Sequence, residues 1–295
     1  MIPTDYMIKA MDKSNGIKVV LASTTRLAEY AHQRHHTSAT ASAALGRVLT
    51  AALIMTHDLK DPADVVSVRF NGDGPAGMII ATATGLGTVR GYISEPQADL
   101  PATPQGKLNV GGLVGTEGYV EVLKDIGLKQ PFTGRVPLVS GEIAEDLVQY
   151  YMHSEQVPTL LALGVLVDVD LTVKTAGGLM VQALPGADQD LVARIEQQVL
   201  QLGNISSALQ EAESLEELLR KIMGEIENHI IGKQELNFCC TCSRERLAVI
   251  LSSYSKEEIE RLCDEEGIME VTCNFCNEQY HYTPEQIMAA KKPQP

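Results

Sequence analysis

Two stretches decide how this chain is read: FCCTCSRERL (238–247) and EVTCNFCNEQY (270–280). With Cys263 between them they hold all six cysteines, and no cysteine precedes Cys239. Zinc takes four ligands in a tetrahedron, and thiolates suit it well. Cys273 and Cys276 form an unambiguous C-x-x-C turn. The first pair is ambiguous: Cys239 with Cys242 makes a C-x-x-C and Cys240 with Cys242 a C-x-C, and on spacing alone the common ribbon pattern favours Cys239. Two close pairs, set apart by the whole stretch from Ser243 to Thr272, with no cysteine in the main body, are a strong metal signal. The bland alternative, inert buried thiols, suits Cys239 and Cys263 but not all six.

The residues around the pairs fit a small metal module. VTCNFCNEQYHY (271–282) reads as strand–turn–strand. SKEEIERLCDEEG (255–267) reads as a helix started by Ser255 and Glu258 in capping-box spacing, with Cys263 on it as a small apolar side chain. A piece of about 55 residues buries too little surface to be robust unaided. A structural zinc contributes roughly 10–16 kcal/mol of apparent stabilisation, most of what such a module needs.

Upstream, the chain reads as α+β. DVVSVRF (64–70), GMIIATAT (77–84) and TVRGYIS (88–94) are strand-like runs joined by short glycine turns, an antiparallel meander. Further strands are expected at 118–124, 132–138, 161–169 and 179–184, with one helix over about 40–58 and another beginning near Ser140. After ALPGA (183–187) the pattern turns helical from Asp188 to about Ile231: Leu191, Ile195, Val199 and Leu202 recur at helical spacing, Gly203-Asn204 breaks the run, and Ser214 with Glu217 restarts it as a capping box. The expected organisation is an α+β domain with antiparallel sheets over 1–185, a helical linker over 186–233, and a small zinc-binding domain over 234–295, whose tail KKPQP (291–295) reads as disordered.

The totals narrow the function classes. A length of 295 residues allows about two domains, and a 44% hydrophobic fraction allows a sizeable core. A formal net charge of -14 argues against general affinity for nucleic acid or an anionic membrane. No basic segment followed by an apolar one opens the chain, so no signal peptide is read, and the expected compartment is the cytoplasm, where thiols stay reduced. ASAALGRVLTAALIM (41–55) is short and interrupted by Arg47, so it reads as a core helix rather than a membrane span.

Thiolates that bind zinc can also be oxidised. A metal clamps two segments far apart in sequence, whereas a disulfide within either close pair closes only a tiny loop and restrains little of the unfolded chain. Oxidation is therefore expected to unfold the module and to loosen its neighbour, the helical segment.

These residues resemble the redox-switched holdase chaperones of the heat-shock protein 33 family. CTCSRER (240–246) and CNFCNEQY (273–280) look like that family's paired zinc motifs. RHHTSATASAALGR (34–47), GDGPAG (72–77), GRVPLVSGEIAEDLVQYYMHSEQVP (134–158) and TAGGLMVQALPGA (175–187) extend the likeness over nearly the whole chain. The resemblance implies one zinc per chain on Cys240, Cys242, Cys273 and Cys276, which overrules the spacing preference for Cys239. It further implies an inactive reduced form and disulfides Cys240–Cys242 and Cys273–Cys276 on oxidation. Zinc release, an unfolded linker, ATP-independent binding of unfolding clients and an active homodimer would follow. Cys239 and Cys263 are not required by that pattern.

Three other readings stand beside it. A zinc-ribbon nucleic-acid binder is disfavoured by nine acidic against four basic residues from Phe238 to Tyr282. A thiol–disulfide oxidoreductase normally sets its C-x-x-C at a helix start. A hydrolase could draw on His32, His35 and His36, or on Tyr150, His153 and Glu155, but no nucleophile motif accompanies them, and no enzyme activity is expected.

Overall fold

Two strands that the periodicity did not announce open the structure, a computed structural model that describes residues 2–290. Tyr6–Asp12 (β1) and Ile17–Ser23 (β2) pair antiparallel. The turn between them is held by the Asp12 carboxylate, which accepts the N–H groups of Ser14 at 2.9 Å and Ile17 at 2.7 Å. β2 is buried on both faces, so IKVVLAS shows no polar–apolar alternation for a sequence reading to catch.

Helix Thr25–His35 (α1), not among the expected helices, follows. Ala39–Met55 (α2) then matches the expected helix, with the Ser38 hydroxyl accepting the Ala41 N–H at its start. Nearly every residue of α2 is buried. Together with the turn Thr56–Asp58 that continues it, α2 is the described helical stretch long and apolar enough to cross a membrane, and here it forms core.

The glycine-punctuated runs form the expected meander of Val65–Gly72 (β3), Met78–Thr84 (β4) and Thr88–Ile93 (β5). A short helix, Val110–Val114 (α3), precedes strands Gly118–Asp125 (β6) and Phe132–Pro137 (β7). The helix expected near Ser140 begins at Ala144 (α4, Ala144–Tyr150) and runs on as a wider turn through Glu155. Asp146, not Ser140, organises its entry. This buried carboxylate accepts N–H groups from Val139 (2.7 Å), Ser140 (3.1 Å) and Ile143 (3.1 Å).

Thr159–Val167 (β8) and Val173–Ala183 (β9) form a hairpin. Three helices come next: Gln189–Leu202 (α5), Ile205–Glu211 (α6) and Leu215–Met223 (α7). The helical segment expected to reach about Ile231 stops at Met223. The chain re-enters the sheet as Asn228–Glu235 (β10), pairing with β1, and ends this part with Asn237–Phe238 (β11). HIIGKQE carries no helix-breaking residue beyond Gly232, and what makes it a strand is the free edge of β1.

Among the described residues these strands make a five-stranded sheet, β10-β1-β2-β9-β8, and a six-stranded one, β11-β5-β4-β3-β6-β7. Both are antiparallel except for the two-residue parallel pairing of β11 with β5. α2 touches strands of both, so the main core lies between the sheets. Gly46 permits this closeness, because a Cβ there would stand 2.9 Å from Val165 Cγ2.

The segment α5–α7 covers the other face of the five-stranded sheet over a second core. Ile195, Leu209, Leu215, Leu218 and Ile222 pack there against Ile8, Val19, Leu21 and Leu179. Polar contacts pin it as well. Tyr6 OH donates to Glu216 Oε2 at 2.7 Å and accepts the Leu215 N–H at 2.8 Å, while Lys233 Nζ bonds Glu216 Oε1 at 2.7 Å. Only one arm of the expected capping box forms: Ser214 accepts the Glu217 N–H, and Glu217 reaches back to the Glu213 N–H instead.

The chain divides into two compact units between Cys239 and Cys240. The second contains helices Arg244–Leu251 (α8) and Lys256–Arg261 (α9), the antiparallel hairpin of Met269–Thr272 (β12) and Gln279–Tyr282 (β13), and helix Pro284–Ala289 (α10). Ser255 and Glu258 form the expected capping box in both directions. α9 stops at Arg261, so Cys263 lies just beyond the helix that was expected to carry it. The buried core of this unit is small: Ala248, Leu251, Ile259, Met269, Tyr282 and Ile287. The tail KKPQP lies outside the described residues.

Candidate metal centre

The hairpin β12–β13 presents one pair of thiols. Between its strands the Cys273 carbonyl accepts the N–H groups of Cys276 (3.3 Å) and Asn277 (2.7 Å), and the Cys273 N–H donates to Glu278 O at 2.9 Å. Asn277 completes the turn with φ 55°, a left-handed conformation that Asn tolerates. The second pair, Cys240 and Cys242, lies in the irregular segment before α8. That segment is braced by Ser243, which caps α8 through the Arg246 N–H, and by Arg244, whose guanidinium stacks 4.7 Å from the Tyr282 ring centre. The Tyr282 hydroxyl donates back to Arg244 O at 2.9 Å.

The result brings four sulfurs together from segments far apart in sequence. Cys240 and Cys273 Sγ are 3.7 Å apart, Cys242 and Cys276 Sγ 3.3 Å, and all four lie within 4.8 Å of one another. Tetrahedral zinc with Zn–S of about 2.3 Å sets its sulfurs about 3.8 Å apart, so spacing and soft donor chemistry both fit such an ion. Among the described residues this is the one cluster of three or more metal-ligating side chains. Cys239 is not part of it. Its side chain is exposed, and its N–H donates to Val89 O in the first unit. Cys263 also stands apart, its thiol donating to Ile259 O at 3.3 Å.

The electrostatics are compatible with a cation-holding site. Burial pushes the Cys276 and Cys240 thiols above the ordinary range. Burial also opposes ionisation of Cys242, but the Tyr280 hydroxyl at 3.3 Å and the neighbouring thiols outweigh it, and the group is lowered. The hydrogen bond to Cys242, then burial, push the Tyr280 phenol up in turn. Four thiols this close cannot all ionise against one another, whereas a bound divalent ion would make thiolates of them and release their protons. Tyr280 was missed as a participant because no spacing rule flags a phenol four residues after a cysteine.

Of the other candidate residues, only Tyr150 and Glu155 come together. His32 Nδ1 is satisfied by Thr37 Oγ1 (3.2 Å) and Ser42 Oγ (3.1 Å), and the His36 carbonyl accepts from Gln97. His35 is buried on α1. Tyr150 OH donates to Glu155 Oε1 at 2.9 Å, Lys124 pairs with Glu155, and His153 is exposed. CNFC occupies a strand–turn–strand rather than a helix start, unlike the thiol oxidoreductase arrangement.

Comparison with known proteins finds relatives over nearly the whole chain. The profile of the family described as Hsp33 protein matches residues 5–283. The 33 kDa chaperonin of Desulforamulus reducens is 44% identical over 288 residues, covering 98% of this chain and 97% of that one. The 33 kDa chaperonin of Clostridioides difficile is 41% identical over 288 residues, covering 98% and 99%. The crystal structure of the 33 kDa chaperonin, a heat shock protein 33 homolog, from Thermotoga maritima superposes with a TM-score of 0.90 at 36% identity over 97% of each chain.

Proposed function

The chain belongs to the Hsp33 family of chaperones, and from that membership together with the four-thiol cluster we propose that it is a redox-regulated, ATP-independent holdase. The observation that carries this reading is the approach of Cys240, Cys242, Cys273 and Cys276 to within 4.8 Å. In the resting form these four thiolates would hold one zinc ion, and so bound it would crosslink the segment before α8 to the β12–β13 turn, which the small core of the second unit could not replace.

Activation is oxidation of the thiolates. Cys240 joins Cys242 and Cys273 joins Cys276, as the family resemblance implies. The four thiolates give up four electrons. Two molecules of hydrogen peroxide accept them and, with four protons, become four waters, and sulfurs paired in this way would no longer hold a divalent ion. The new bridges close loops of a few residues and restrain little. The second unit then unfolds, and the linker 186–233 follows. α5–α7 depart from the five-stranded sheet and uncover an apolar surface that includes Val19, Leu21 and Leu179. The domain 1–185 keeps its core between the sheets and presents this surface to unfolding clients. Nucleic acid, membranes and catalytic turnover have no part in this reading. The working form is a cytoplasmic homodimer that serves under oxidative stress.

The test is a peroxide titration of the thiols, followed by zinc release and by suppression of aggregation of a heat-unfolded client. Release and suppression should rise together. Release without suppression would leave a zinc protein whose chaperone activity is not governed by these thiols.

A further inference from the structure

β8 ends the five-stranded sheet, yet its sequence, TLLALGVLV, is that of an interior strand. Leu161, Leu163, Val165 and Val167 join the core between the sheets, while Leu160 and Ala162 join the core beneath α5–α7. Strands buried on both faces are continuous apolar runs and normally have neighbours on both edges. One edge of β8 pairs with β9, and the other has no strand among the described residues.

The phase of the ladder says which groups face that open edge. Ala183 N donates to Pro158 O, so the even-numbered residues of β8 are bonded to β9. The N–H and C=O groups of Leu161, Leu163 and Val165 therefore point away from it. Other edges carry the devices that block unwanted pairing. β10 has Lys233, Glu235 and a bulge in the partner register, β7 has Arg135 and Pro137, and β11 is two residues long. Between residues 159 and 167 there is no charge and no proline.

We propose that this edge is the surface on which two copies of the chain associate, β8 pairing antiparallel with β8 about a two-fold axis at Leu163. The sheets then join into one continuous sheet across both copies. The inference rests on the homodimer of the reading above and locates its interface. The sequence is self-complementary about that axis: Leu160 meets Leu166, Leu161 meets Val165, Ala162 meets Gly164, and Leu163 meets itself. The outward groups at 161, 163 and 165 are symmetric about the same residue, so donors meet acceptors.

The two ends of the strand are complementary as well. At one end Leu166 is 37% exposed and Val169 is 98% exposed. At the other, an apolar groove of about 210 Å³ is lined by Met152, Pro158, Leu160, Val192 and Ile195. The two-fold places Leu166 of each copy opposite Leu160 of the other, on the face that opens into this groove. An arbitrary apolar segment could satisfy the backbone, but it would not fill both ends in register.

The test uses the full-length protein, reduced with zinc and oxidised, across a concentration range. Sedimentation gives the dimer dissociation constant, and amide exchange is read at Leu161, Leu163 and Val165. Those three amides should slow as dimer forms. Leu166→Glu, a substitution at the exposed end of the strand, should raise the dissociation constant at least ten-fold, with zinc content and circular dichroism unchanged. A dimer whose β8 amides exchange as in the monomer would overturn this interface and leave the homodimer standing. A monomer at every concentration in both states would remove both. Slowing only on addition of an unfolded client would also overturn it, since the edge would then take a foreign strand.

Discussion

Tyr6→Phe isolates the attachment of the linker from the metal. The phenol oxygen accepts the buried Leu215 N–H at 2.8 Å, and its hydroxyl donates to Glu216 at 2.7 Å. Burial, and then Glu216, push its pKa up to about 12, so it remains a donor through the neutral range. Phenylalanine keeps the ring in place and leaves that N–H without an acceptor. Glu216 still has Lys233. An orphaned buried N–H costs about 1–3 kcal/mol, and a central value of about 2 kcal/mol corresponds to a roughly 30-fold increase in local opening. Amide exchange of the reduced, zinc-loaded protein would measure it. Amides of Leu218–Met223 should exchange roughly 30-fold faster, those of β12 and β13 should not change, and the zinc content should stay at the wild-type value. In the holdase reading, the variant also suppresses client aggregation at lower peroxide. Wild-type exchange in α7 alongside a lowered global stability would refute the reasoning, because the phenol would then support the sheet and not hold the linker.

Three further outcomes are expected. Cys273→Ser should lose zinc while Cys239→Ser and Cys263→Ser retain it, by metal analysis of the purified proteins; equal contents in Cys273→Ser and Cys239→Ser would overturn the ligand set. Chelating the metal should collapse the NMR signals of residues 240–290 while those of the β3–β5 meander persist, because the second unit has a core of only six buried side chains. Asp5 has its pKa raised from 3.8 to about 6, chiefly by burial and against the N–H groups of Leu27 and Arg26 that it accepts. A raised carboxylate binds its proton more tightly when folded, so its contribution is fully present below about pH 4 and is lost as pH rises through about 6. Asp5→Asn should flatten that part of a stability-against-pH curve, and a slope identical to wild type would exclude Asp5 as its source.

Sequence alone determined those features whose cause is local. Glycine turns between half-buried strands announced β3–β5, because one face meets the core and the other meets solvent, and the alternation records it. Ser255 with Glu258 announced α9, and the crowding of cysteines announced a metal site. Tertiary structure decided whatever depends on a distant partner. β2 is covered on both faces and therefore shows no period. Asn228–Glu235 is a strand because the edge of β1 lies free to receive it. Spacing favoured Cys239 over its neighbour Cys240, yet the backbone of Cys239 is bonded to Val89 while the sulfur of Cys240 reaches Cys273. Periodicity reports which face of a segment is covered, but not what covers it, and the choice between two adjacent thiols is made by the direction in which the folded backbone points each one.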